Sequence, residues 1–156
     1  MVDGVRVAMG EVEVSLHYIP GCLVVDLHRG KEICGKRSQD SYAQVFLIED
    51  NGNALWDQHQ KAFFEKVNET VHERTRLFKK NLNPEFDDKF TFKMDHAALL
   101  RKSLVIAIWD MDSASKDDYM AGVTFPLRDV ARFDCLGKKV DITLQVQEKD
   151  GYVSVL

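Results

Sequence analysis

SLVIAIWDMDSASKDDYMAGVTFPL, residues 103 to 127, is the stretch whose reading decides the fold. Leu104 to Trp109 is short, almost wholly apolar and rich in β-branched residues, which reads as a buried strand rather than a helix. The polarity then inverts: Asp110, Asp112, Asp117 and Asp118 share one tight loop with Ser113 and Ser115 before a second apolar strand, Met120 to Leu127. Carboxylates this crowded repel one another unless a cation sits among them. A hard cation such as calcium takes about six to eight oxygens, and a loop between two rigid strands can present them. The competing reading is a solvated acidic turn. An EF-hand is excluded, because a loop starting at Asp110 puts Ser115 at the glycine position and Ala121 at the bidentate glutamate position.

The whole chain of 156 residues predicts a single domain, residues 1–156, long enough for a sizeable core. With 45% hydrophobic and 29% charged residues it has an ordinary soluble composition, and a net charge of −4 gives no reason to expect a nucleic-acid partner. Cys22, Cys34 and Cys135 are odd in number and lack metal or redox spacing, which predicts reduced thiols in a cytoplasmic protein. No run reaches membrane-span length and the N-terminus lacks the apolar core of a signal peptide, so any membrane contact is expected to be peripheral.

Outward from the opening stretch, alternation marks further strands. Glu11 to Tyr18 alternates through Val12, Val14, Leu16 and Tyr18, and Pro20-Gly21 turns the chain into Cys22 to His28. Tyr42 to Ile48, Arg74 to Phe78, Lys89 to Lys93 and Lys139 to Val146 follow the same logic. With the two strands of the opening stretch this makes eight, and eight short strands separated by turn signals predict an all-β antiparallel sandwich. Two segments depart from the pattern. Asp95 to Arg101 has an Asp cap position and good helix formers. Residues 50–72 carry Trp56, Phe63, Val67 and Val71 at helical spacing with Phe64 beside them, which predicts an amphipathic helical insertion between the third and fourth strands. Its apolar stripe either packs on the sandwich or docks a partner protein.

Four motifs stand in one order: GEVEVSLHY, QDSYAQVFL, RTRLFKKNLNPEFDDKFTF and LVIAIWDMDSASKDDYMAG. In that order they resemble the C2 domains of synaptotagmins and conventional protein kinases C, with a DPYVKV-like strand, a KTK…LNPxFNExFxF segment and a strand followed by DxDxxxxxD. The resemblance covers about residues 10–146 and implies an eight-stranded Greek-key β-sandwich of the type I strand order.

It further implies calcium at one tip, held by Asp40, Asp110, Asp112 and Asp118, with Ser115 where the family often supplies another oxygen. The family's early first-loop aspartate is replaced here by Cys34 or Arg37. Each absent carboxylate weakens a calcium site, so weak or single-ion binding is expected. A phosphoinositide patch is implied at Tyr42, Arg74, Arg76 and Trp109, with Lys79 and Lys80 nearby. Alternation places both arginines on one face, while Gln44 and Phe46 stand where the family has lysines. Trp109, ending a buried strand, also reads as core. Lys36, Arg37, Met111 and Lys116 fall at the membrane-facing loop tips of the family.

His17, His28, His59, His72 and His96 show no metal spacing, and no nucleophile or phosphate-cradling motif appears, so no enzyme activity is expected. The expected function is a calcium- and/or phosphoinositide-dependent peripheral module that targets a larger protein to anionic membrane. The alternative is a calcium-independent interaction module that uses residues 50–72, through Trp56, Phe63, Phe64 and Val67, to bind a partner or dimerise.

Overall fold

The computed structural model describes residues 8–33, 40–49, 73–79, 81, 83–111, 118–128 and 140–148. Its strands in chain order are β1 (Ala8–Ile19), β2 (Cys22–Lys31), β3 (Ser41–Glu49), β4 (Asp88–Lys93), β5 (Lys102–Asp110), β6 (Asp118–Pro126) and β7 (Val140–Glu148), and a helix, α1 (His96–Arg101), lies between β4 and β5. All ladders are antiparallel, in the order β3-β5-β6-β7-β1-β2-β4.

Alternation drives the layering. Val12, Val14, Leu16 and Tyr18 of β1 and Leu23, Val25 and Leu27 of β2 bury their side chains in one cluster with Ala43 and Val45 of β3 and Leu104, Ile106 and Ile108 of β5. Strands from both ends of the hydrogen-bonded order therefore share one core, which makes the two halves a sandwich. Among the described residues, only Ala121 and Gly122 of β6 pair with Glu148 and Gln147 of β7, so the seam joining the halves is short. Each large side chain taken out of water in this core contributes about 1.5–3 kcal/mol.

The expected buried strand is β5, in which every residue from Ser103 to Trp109 is buried. Its run is continuous because both faces are covered. Leu104, Ile106 and Ile108 enter the main core, while Val105, Ala107 and Trp109 enter a second cluster with Tyr42 and Phe46 of β3. The Pro20-Gly21 turn joins Ile19 to Cys22, with Gly21 at φ 85° as the third position of a type II turn requires. The short helix is also present. Asp95 caps α1, its side chain accepting from the Ala98 amide at 2.8 Å.

One expectation changes. Arg74 to Phe78 is not a continuous strand but an extended segment bridged to β3 at Ser41↔Phe78 and Gln44↔Arg74. The Thr75 hydroxyl takes the place of a ladder carbonyl, accepting from the Ala43 amide at 3.0 Å, and this interrupts the regular pairing. The described residues thus hold seven strands plus this segment, and the helical insertion predicted at residues 50–72 lies outside them.

Candidate functional site

The register gathers the aspartates at one end of the sandwich. Asp110, the last residue of β5, pairs with Ser41 at the start of β3 and with Asp118 at the start of β6. Asp40 is held beside them, its carbonyl accepting from the Met111 amide at 2.9 Å. Asp40 and Asp110 are half-buried and Met111 is 40% exposed. Positions as distant in sequence as Asp40 and Asp118 converge because three strands start or stop at the same level. Hard carboxylate oxygens on the rims of rigid strands suit calcium. Among the described residues, no group of three or more His, Cys, Asp or Glu forms a metal cluster. Asp112, Ser115, Lys116, Lys36 and Arg37 lie outside the described residues, as do Lys80 and the insertion residues Trp56, Phe63, Phe64 and Val67.

The predicted phosphoinositide face differs from expectation. Tyr42 is 4% exposed, and Gln44 and Trp109 are fully buried, the indole Nε1 donating to the Gln44 Oε1 at 3.1 Å. Where a charged face was expected, β3 and β5 carry an apolar cluster that encloses the Trp109–Gln44 hydrogen bond. Trp109 and Tyr42 are core residues here, buried to 0% and 4% exposure, which leaves a headgroup little ring surface to meet.

The two arginines also separate. The Arg74 guanidinium stacks over Tyr42 at 5.0 Å, whereas that of Arg76 stacks over Phe78 at 4.6 Å, and these rings belong to different clusters. Leu77 packs with the Tyr42 cluster and Phe78 with the main core. The two-residue period slips where the Thr75 side chain enters the ladder, so alternation fails to keep Arg74 and Arg76 on one face. Lys79 is exposed.

A polar constellation that sequence reasoning missed sits on the outer face of β7, β1 and β2. Ser15, 1% exposed, donates to Asp141 Oδ1, which lies directly across the β1–β7 ladder, and is hydrogen-bonded to His28 Nε2. A β-bulge brings the histidine there: Glu13 pairs with Arg29 and Val14 with Leu27, leaving His28 as the extra residue. Above them opens a cavity of about 480 Å³ lined by Glu13, Val14, Ser15, His28, Arg29, Asp141 and Thr143. No motif signals it, since the contacts join residues 13 and 126 apart in sequence.

Comparison with known proteins places this architecture. Residues 21–145 match the family model of the C2 domain. Piccolo of Rattus norvegicus is 23% identical over 129 residues, covering 80% of this chain and 2% of that protein. Synaptotagmin-1 of Aplysia californica is 29% identical over 150 residues, covering 93% of this chain and 30% of its own length. The chain therefore spans less than a third of either relative. Among solved structures, a C2 domain of RIM from Drosophila superposes with TM-score 0.63 at 19% identity, covering 89% of this chain and 100% of that one. The third C2 domain of KIAA1228 protein gives TM-score 0.67 at 19% identity, with 97% of each chain covered. With most of its length inside the family model and a sandwich of the same shape, this chain belongs to the C2 domain family.

Proposed function

We propose that this C2 domain is a peripheral membrane-binding module whose aspartate-bearing end meets anionic lipid and so delivers a larger protein to that surface. The observation that carries the reading is the convergence of Asp40, Asp110 and Asp118 at one end, next to the exposed Met111. Asp112 and Ser115 belong to the same loop in sequence and complete the proposed ligand set. Bound there, calcium supplies positive charge that cancels the carboxylates. Without that charge, the aspartates repel an anionic surface and hold back Lys36, Arg37 and Lys116. The position of the missing first-loop carboxylate supports weak or single-ion binding.

Phosphoinositide recognition, within this reading, falls to Arg74, Arg76, Lys79 and Lys80 acting as a dispersed basic surface. Each cation near an anionic membrane contributes on the order of 1 kcal/mol, which makes this a helper to the loop end. A second reading, a calcium-independent module that binds a partner or itself through residues 50–72, is favoured by the closed β3–β5 face, which carries apolar packing where the family's headgroup patch is expected. As a C2 domain the module is assigned a binding role and no catalysis.

Co-sedimentation with anionic liposomes separates these readings, run with and without phosphatidylinositol bisphosphate, in calcium and in chelator, for wild type and Asp110→Asn/Asp112→Asn. Sedimentation only in calcium, lost in the double variant, is the expected result. Equal sedimentation in chelator assigns the contact to the basic residues. Absence of sedimentation in every condition overturns the membrane reading in favour of the protein-interaction one.

A further inference from the structure

The outer face of β7, β1 and β2 holds a built polar pit that the membrane reading does not use. A hydroxyl has one hydrogen. Since Ser15 donates it to Asp141, it accepts from His28 Nε2, and the imidazole is fixed with its proton on that nitrogen. The buried serine therefore acts as a rigid post that orients the Asp141 carboxylate, and the β1–β2 bulge supplies the histidine that holds the post.

The remaining lining is chiefly acceptor. Glu13 and Thr143 face one another across the β1–β7 ladder, two pairs along from Ser15 and Asp141, so two carboxylates and a hydroxyl surround the pit. Arg29, the cation of the lining, is shared between Glu13 at 3.3 Å and Glu85 at 3.5 Å. Arg29, the cation among the described lining residues, thus already has carboxylate partners, and the oriented Asp141 faces a cavity of small-ligand size.

We propose that this pit receives the ammonium or guanidinium group of a lysine or arginine side chain from a partner protein. The fixed Asp141 carboxylate, with the Arg29-paired Glu13 carboxylate diagonal to it, offers acceptors that a multi-donor cation satisfies. Its place in the fold favours a soluble partner over a lipid amine. Ser15 lies mid-strand on the side of the sandwich, whereas Asp40, Asp110 and Met111 lie at its end, so a membrane touching that end does not reach the pit.

The test is fluorescence anisotropy of labelled hexalysine, hexaarginine and hexaglutamate with the full chain at low salt, with circular dichroism reporting the fold of each variant. Hexalysine or hexaarginine is expected to bind and hexaglutamate not to. Glu13→Gln/Asp141→Asn should weaken binding about tenfold or more, as loss of charged hydrogen-bond acceptors does. Asp40→Asn/Asp110→Asn, an equal change of charge at the loop end, should stay within about twofold of wild type. Thr143→Lys, which leaves the serine network untouched and puts a cation on the rim, should block binding as well. Equal losses in both asparagine-bearing pairs would reduce the effect to general acidity and overturn the proposal. So would binding that survives Glu13→Gln/Asp141→Asn and Thr143→Lys, or displacement of the peptide by phosphatidylethanolamine vesicles. Failure of the liposome experiment above leaves this outcome unchanged, because the two surfaces share no residue.

Discussion

Gly10 and Gly21 both have positive φ, at 107° and 85°, but their surroundings differ. A Cβ on Gly10 would sit 2.5 Å from the Lys31 carbonyl oxygen and 2.6 Å from that of Glu32, whereas one on Gly21 meets nothing within 4 Å. Gly21→Ala should therefore cost only the backbone term of about 1 kcal/mol. Gly10→Ala adds a backbone clash and should cost about 2–3 kcal/mol or more. Urea unfolding of the two variants tests this, and equal midpoints would sink the steric argument. Gln44 and Trp109 permit a second measurement. Trp109→Phe removes the indole donor to the buried Gln44 Oε1, a loss of about 1–3 kcal/mol on top of the lost ring volume. Adding Gln44→Leu to Trp109→Phe should recover part of that, because the buried acceptor that lost its donor goes too. A double-mutant cycle with no coupling would show that the hydrogen bond contributes nothing.

Beside β3, the 73–79 segment shows how one side chain alters a whole element. The Thr75 hydroxyl accepts from the Ala43 amide and donates to the Arg76 carbonyl at 2.9 Å, standing in for backbone pairing. Thr75→Val is close in shape but cannot accept, so the buried Ala43 amide loses its partner. The expected loss is about 1–3 kcal/mol, with faster hydrogen exchange at Ala43. Exchange at wild-type rates would mean that the pairing does not depend on the hydroxyl. The same segment marks the limit of reading from pattern. The apolar periods of β1, β2, β3, β5 and β7 and the cap of α1 are local properties, and their existence was legible from the sequence within a few residues. The separation of Arg74 from Arg76 was not, since it follows from a side chain replacing a ladder carbonyl, which polarity patterns do not encode.

Across the molecule, the antiparallel register puts Met111, 40% exposed, at the aspartate end and Ile19, 41% exposed, at the Pro20-Gly21 hairpin on the opposite end. If the module docks by its aspartate end, a tryptophan at Met111 should be quenched by brominated phosphatidylserine vesicles in calcium. One at Ile19 should not. Equal quenching at both sites would contradict the orientation, and quenching at Ile19 alone would reverse it. Charge fits this polarity, because the carboxylates of the Ser15 face would be pushed away from an anionic surface. From the sequence alone came the strand content, the hairpin turn, the cap and the acidic loop, because each depends on spacing within a few residues. The coverage of both β5 faces, the burial of Tyr42 and Trp109, and the meeting of Ser15, His28 and Asp141 were decided only by the tertiary structure. Those contacts span 13 to 126 residues and exist only once particular strands pair in a particular register.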